Sequence, residues 1–321
     1  MDNRAFECSG SGRDVTLEDF VNRRAFQADV LAVLKHPNSR VFIVDFSLWI
    51  VSPSSAYVTV LQSNGDFIRR LVIHEPPSLT CAAVTLFTKK LQAVAVTQTL
   101  KGEIVVAGQG LHHDALYRFN KGSHLDELGL VCINSDGVIE EVISQGRFND
   151  VTHDAHCVYG LEQPWSSQTC YRVRSFYTND RGGWIHVTDT CLQYGASYDR
   201  ILVRNSVLYL SRTNAPTPTV DQYNQDGILV SSLSSTHSPL HLSTSLCDVD
   251  VTGSFLLVDS TTNTLCVLSL DRNWRYVDVI NVVEPVSAQM HCGTGIIWIV
   301  GKDKRTRTGA LFAISVNLLD R

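Results

Sequence analysis

Apolar and polar positions fall along this chain in short alternating blocks. The stretch "FLLVDSTTNTLCVLSLDRNW", residues 255–274, shows the grammar: an apolar run, a short polar turn, a second apolar run, then a tight turn into a third. The same order returns in "LYLSRTNAPTPTVDQYNQDGILV" and in "WIVGKDKRTRTGALFAISVN". Apolar runs this short, bounded by turn residues, predict strands rather than helices. Turn dipeptides close the runs at Asn64-Gly65, Asp136-Gly137, Asn179-Asp180 with Gly182-Gly183, Asp226-Gly227 and Arg272-Asn273. From Asp136 onward the steps are close to 45 residues, and the first step of 72 marks a repeat with a long insertion. A β-rich period of about 40–50 residues is the signature of a propeller with four strands per blade.

Strands can be assigned within each repeat. The second strands are "VFIVDF", "EIVVAG", "HCVYGL", "VLYLSR", "FLLVDS" and "IIWIVG". For the first repeat an alternative cut places the second strand at Leu48–Ser52. The third strands are "YVTVLQS", "GLVCINS", "CYRVRSFYT", "TVDQYNQ", "LCVLSL" and "LFAISVN". Fourth strands number only five: "FIRRLVI", "VIEEVI", "WIHVTD", "ILVSSL" and "WRYVDVI". An open edge leaves unpaired backbone groups, so the ring should close by pairing the chain ends in one blade. The expected closure joins Val15–Phe20 to Leu311–Val316; alternatively, residues 15–20 form a short helix capped by Asp14 or Thr16. The expected architecture is all-β: a six-bladed β-propeller over residues 27–321 after an N-terminal segment, 1–26, that carries the closing strand.

Bulk properties narrow the function. With 321 residues and 44% apolar content the chain can build one large all-β domain. Its net charge of −5 provides no global field for nucleic acid. No apolar run approaches the roughly 20 residues of a membrane helix. The nine cysteines show no Cys-x-x-Cys spacing, and several sit inside apolar runs, as in "LVCIN" and "LCVLSL". Free buried thiols in a reducing, cytoplasmic setting fit that usage.

The order strand–"VDS"–polar turn–strand–turn–strand resembles the NHL repeat. "FLLVDSTTNTLCVLSLDRNWRYVDVI" and "VFIVDF…YVTVLQSNGDFIRRL" carry the likeness, with Asp259 and Asp45 at the carboxylate that follows the second strand. The other repeats carry Gly108, Gly160, Arg212 and Gly301 there. The resemblance implies a six-bladed, non-catalytic platform of the kind that ends tripartite-motif proteins, where some members bind RNA through a basic face and others bind proteins. The RING, B-box and coiled coil of that family have no counterpart here.

Candidate chemistry follows from position. "KDKRTR" supplies Lys302, Lys304, Arg305 and Arg307 between the second and third strands of the last repeat. Arg212, and Arg118 with Lys121 in the insertion Gln109–Leu128, lie in the equivalent loops, with Tyr117, Phe119 and Trp165 as aromatic neighbours able to stack bases. Asp114, Asp126 and Glu162 weaken that field. His153 and His156 beside Cys157 would need help from His112, His113 or His124 to hold zinc. Asp29, Asp150, Asp199 and Asp248 precede the innermost strands and would line the mouth of a channel. A metal-dependent, lactonase-like hydrolase would draw its ligands and base from such carboxylates, while a turn-forming role at blade entry is the plainer reading. The expectation is a binding platform without catalysis or cofactor. Its ligand is a protein partner, or else single-stranded RNA, held on the Lys302–Arg307 loop face; no DNA and no membrane is expected.

Overall fold

The computed structural model describes residues 16–21, 25–52, 55–74, 90–111, 129–164, 170–179, 182–234, 244–250, 252–269, 274–291 and 293–315. Among the described residues, apart from one short helix, Leu17–Val21, every element is a strand. The strands form six sheets. Each sheet holds four antiparallel strands, from residues 40–71, 90–144, 148–191, 198–234, 244–279, or 282–315 together with 29–33, and two sheets add a two-residue strand at an edge. These are the blades of a six-bladed β-propeller fold.

The chain divides into two compact units: residues 42–62 with 67–195, and residues 1–41 with 63–66 and 196–321. In the first of these, Val44, Trp49, Val60, Leu91, Val106, Val131 and Ile139 pack as one apolar cluster. A second cluster joins Ala95, Val105, Leu130, Phe148, Val158 and Phe176. In the other unit, Tyr209, Val220, Leu246, Phe255 and Cys266 form one cluster. Leu17, Phe20, Phe26, Leu256, Val277, Ile299 and Phe312 belong to another.

The apolar runs of the sequence are the middle strands of each blade. Phe255–Asp259 and Thr264–Leu268 are buried at every position, because neighbouring sheets cover both faces. The fourth strands are wet; five consecutive residues of Trp184–Cys191 are exposed. Third and fourth strands meet in one recurring turn at about 45-residue intervals. Asn134, Asn179 and Asn224 each open it, and each side-chain Oδ1 accepts the backbone N–H four residues on, from Val138, Gly183 and Ile228. The turn needs a left-handed glycine, Gly137 at φ 83° and Gly182 at φ 82°. A Cβ on Gly137 would also sit 2.6 Å from the Val72 carbonyl, whereas one on Gly182 would meet open space.

The chain ends do close the fold, by another segment than the expected one. Asp29–Val33 forms the outer strand of the last blade, pairing Asp29 with Ala313 and Val33 with Ala310. Residues 17–21 are helical instead. Leu17 and Phe20, three apart, share one helical face and are fully buried. The Thr16 N–H and the Thr16 hydroxyl both donate to the Asp19 carboxylate, at 3.1 Å each, and tie down the start of the helix. Ala25–Phe26 then adds in parallel to the outer strand Trp274–Val279.

Two strand expectations change with this. The first blade uses the alternative cut: Arg40–Val44 is its first strand and Ser47–Val51 its second. Asp45 therefore lies in the hairpin between them and is not the counterpart of Asp259. Asp29 opens an outermost strand, not an innermost one. The innermost strands share a feature of their own: each of Lys90–Gln98, Phe148–His153, Tyr198–Arg204 and Thr244–Val249 carries a β-bulge near its middle or start. The residues the register skips are Val94, Asn149, Asp199 and Cys247.

Candidate binding turn and its neighbouring carboxylates

The hairpin between Ile296–Asp303 and Gly309–Ser315 is built on one carboxylate. Asp303 Oδ1 accepts the backbone N–H groups of Arg305 at 2.9 Å and Thr306 at 2.7 Å, and the Thr306 hydroxyl at 3.1 Å. The Asp303 carbonyl accepts the Arg307 N–H at 2.8 Å, and the Asp303 N–H donates to the Thr308 carbonyl. The Thr306 backbone bond does most to hold the Asp303 carboxyl below its ordinary range, with its hydroxyl and Arg305 adding to it. Arg307 adopts φ 60°, which turns the chain back into the next strand. Asp303 is thus fully engaged with its own turn. Lys304, Arg305 and Arg307 are exposed around it. Lys302 differs: its ammonium pairs with Glu284.

Arg212 occupies the corresponding connection of the 198–234 blade and has a different fate. Its Nε lies 2.8 Å and its terminal nitrogen 2.6 Å from Asp221 Oδ2. Asp221 is completely buried. Its Oδ2 also accepts the Tyr198 hydroxyl at 2.8 Å, and its Oδ1 accepts the Ser232 hydroxyl at 2.6 Å. The Tyr198 and Tyr223 hydroxyls meet at 2.8 Å. Burial and these partners push the Tyr198 phenol far above its ordinary value. Burial opposes the charge on Arg212, but its bonds to Tyr198 and Asp221 prevail and keep it protonated. The network is a satisfied core device, so this guanidinium is spent on the fold.

Of the innermost carboxylates, Asp248 is enclosed. Its carboxylate accepts the Met290 N–H at 2.8 Å, the Gln289 amide at 2.8 Å and the Val249 N–H at 2.8 Å. Desolvation outweighs those bonds and raises it to about 6. Asp199 Oδ2 accepts the Ser245 hydroxyl at 3.1 Å. Asp150 is buried in the 148–191 blade. Asp259 Oδ1 accepts the Thr261 and Thr262 N–H groups, closing the turn that follows its strand. His153 bonds the Thr97 hydroxyl at 2.7 Å, and burial lowers its pKa below the ordinary value. Asp154, between the two histidines, accepts the N–H groups of His156 and Cys157 at 2.8 Å each. Among the described residues no group of three His, Cys, Asp or Glu side chains is arranged to hold a metal ion. A cavity of about 30 Å³ lined by Lys101, Glu103, Asp154, His156 and Trp184 has room for a water. It is an order of magnitude below a substrate pocket.

Tyr117, Arg118, Phe119, Lys121, Trp165, His112, His113 and His124 lie outside the described residues. The sequence pointed to the basic run but not to what organises it. Asp303 followed three residues on by Thr306 was a legible local signal. The Lys302–Glu284 and Arg212–Asp221 pairs were not, since each links different strands.

No family model matches the chain, and no curated protein matches it. Solved structures do. A protein put forward as a gluconolactonase superposes with a TM-score of 0.58 at 11% identity, over 94% of this chain and 96% of that one. A Bacteroides caccae protein of unknown function gives 0.55 at 12% identity, over 84% and 90%. Virginiamycin B lyase from Staphylococcus aureus gives 0.50 at 10% identity, over 88% and 82%. Likeness at such identity establishes the β-propeller fold and leaves the activity to the residues of this chain.

Proposed function

We propose that this chain is a non-catalytic binding propeller that takes an acidic segment of a protein partner on the 303–308 turn. The observation that carries the reading is the turn itself: three exposed cations are displayed on a backbone already fixed by Asp303. A preorganised loop loses little entropy on binding, and arginine forks match carboxylates in bidentate geometry. The state of the innermost-strand carboxylates supports the same reading. Asp248 is enclosed by three donors, and Asp199 engages Ser245, so both act within the fold. The resemblance to NHL platforms is consistent with this role, although it rests on Asp259 without Asp45. A cytoplasmic location accompanies the reading, from nine cysteines without paired spacing.

A protein ligand is preferred to RNA on charge. Three free cations are few for a nucleic-acid strand and would give a shallow salt slope of about −2 with single strands. The test titrates a fluorescent oligo-glutamate peptide and a mixed-sequence single-stranded RNA, at low and high salt with EDTA present. The wild type is expected to bind the peptide salt-dependently, and the K304E/R305E/R307E variant to lose at least about tenfold. Binding of RNA alone would replace the protein reading, and unchanged peptide affinity in the variant would remove the turn from consideration.

A further inference from the structure

The 303–308 turn carries two threonines as well as its cations. Three serines or threonines in the chain follow an arginine by three positions: Thr16, Ser175 and Thr308. Thr16 and Ser175 are buried. Thr308 is exposed, with Arg305 three residues before it and Arg307 directly before it. Cations at those positions suit the acidic cleft of an arginine-directed protein kinase. Thr306 is also exposed, but Asp303 stands three residues before it, and such a cleft repels a carboxylate.

The two hydroxyls form a short relay. The Thr306 hydroxyl donates to Asp303 Oδ1 at 3.1 Å. A hydroxyl has one proton, so the 2.7 Å contact between the two threonine oxygens is a bond that Thr308 donates. The Thr308 oxygen is thus the outer end of a chain whose inner end is the carboxylate that fixes the turn.

We propose that Thr308 is a phosphorylation site for an arginine-directed protein kinase, and that its phosphate switches off the binding of acidic segments; the switch rests on the binding role proposed above, the modification does not. The Thr308 oxygen attacks the γ-phosphorus of ATP. Its bond to phosphorus forms as the bond to the bridging β-phosphate oxygen breaks; the hydroxyl proton passes to a base of the kinase, and ADP leaves. The phosphate brings a charge of about −1.5 to −2 beside Arg305 and Arg307, which offsets most of the turn's positive charge and repels an acidic ligand. It also removes the proton that Thr308 gave to Thr306 and competes with Asp303 for the Thr306 hydroxyl, so the turn loses order as well as charge.

The experiment incubates the full chain with a purified arginine-directed serine/threonine kinase and magnesium ATP, beside a synthetic peptide of residues 302–310. Mass spectrometry of the digest is expected to place one phosphate on Thr308 and none at that position in Thr308→Ala. A full chain without phosphate on Thr308 overturns the modification in either case: with the peptide phosphorylated, the fold hides the acceptor; with the peptide unmodified, the sequence is not read. The oligo-glutamate titration then tests the switch. Phosphorylated wild type is expected to bind at least about tenfold more weakly than untreated wild type, while kinase treatment leaves the affinity of Thr308→Ala where it was. Equal affinity of the two wild-type forms overturns the switch. Untreated wild type that fails to bind oligo-glutamate overturns the binding role and the switch with it, and phosphate mapped to Thr308 then supports the modification alone.

Discussion

Two connections between second and third strands, in the 198–234 and 282–315 blades, begin from similar sequence and end in opposite roles. Each opens with a basic residue at or near the end of an apolar strand, Arg212 in one and Lys302 to Arg307 in the other. In the first, the nearest carboxylate is Asp221, buried within the third strand, and it draws the guanidinium inward. In the second, the carboxylate is Asp303, exposed, and the backbone of its own turn consumes its bonds. Whether a cation is structural or available is thus decided by the burial of the carboxylate that can reach it. A charged atom at a buried site must be neutralised, while one at an exposed site is held weakly by any ion pair.

The largest effect that bears on this difference should come from Asp221→Ala. The substitution leaves Arg212 beside Tyr198 and Tyr223 without its counter-ion. The loss should be about 3–5 kcal/mol, read from urea unfolding. A loss no larger than that of a surface change would mean that Arg212 is as available as Arg305.

A smaller effect separates buried from exposed carboxylates by pH. Asp248 is raised to about 6, from an ordinary 3.8. Between these values the folded chain holds a proton that the unfolded chain has released. Stability should therefore fall as pH rises through that window, by at most about 1.4 kcal/mol per unit. Asp248→Asn should flatten the slope, which denaturation at pH 4, 5 and 6 would reveal. Asp303 has the opposite sign: its lowered carboxyl adds stability above its ordinary value, lost as pH falls through the lower one.

The smallest effect on stability belongs to Asp303→Ala, yet it should be the most local. The denaturation midpoint at neutral pH should fall only slightly, while the amides of Arg305 and Thr306 lose protection in hydrogen exchange. Unchanged protection there would show that Asp303 does not fix the turn and would weaken the contrast with Asp221.

Much of the fold was readable because its middle strands are continuous apolar runs and its third-to-fourth turns use Asn or Asp with Gly. The shortage of fourth strands foretold closure by the chain ends. The first blade was ambiguous for a specific reason. Its first two strands join through Asp45 and Phe46, both at positive φ, 48° and 61°. Hairpins of this kind normally advertise themselves with glycine; here the only cue was two adjoining apolar runs. Asn205 and Ser206 repeat the device in the 198–234 blade, at φ 49° and 63°. For residues 15–20 the sequence left a closing strand and a short helix both open, and the helix Leu17–Val21 is the alternative that holds; a five-residue element is too short for periodicity to separate the two. The basic turn was visible as composition. The fate of each cation was not, since it depends on carboxylates such as Asp221 and Glu284 on other strands.

The closing strand has a consequence for the order in which the protein is made. Asp29–Val33 leaves the ribosome early but must wait for Gly309–Ser315 before it has a partner, and Ala25–Phe26 must wait for Trp274–Val279. Residues 42–195 contain all of one compact unit and are synthesised during that interval. At roughly 5–20 residues per second the delay is many seconds. The nascent chain therefore carries an unmatched strand throughout that interval, with Val30 and Val33 as apolar positions on it.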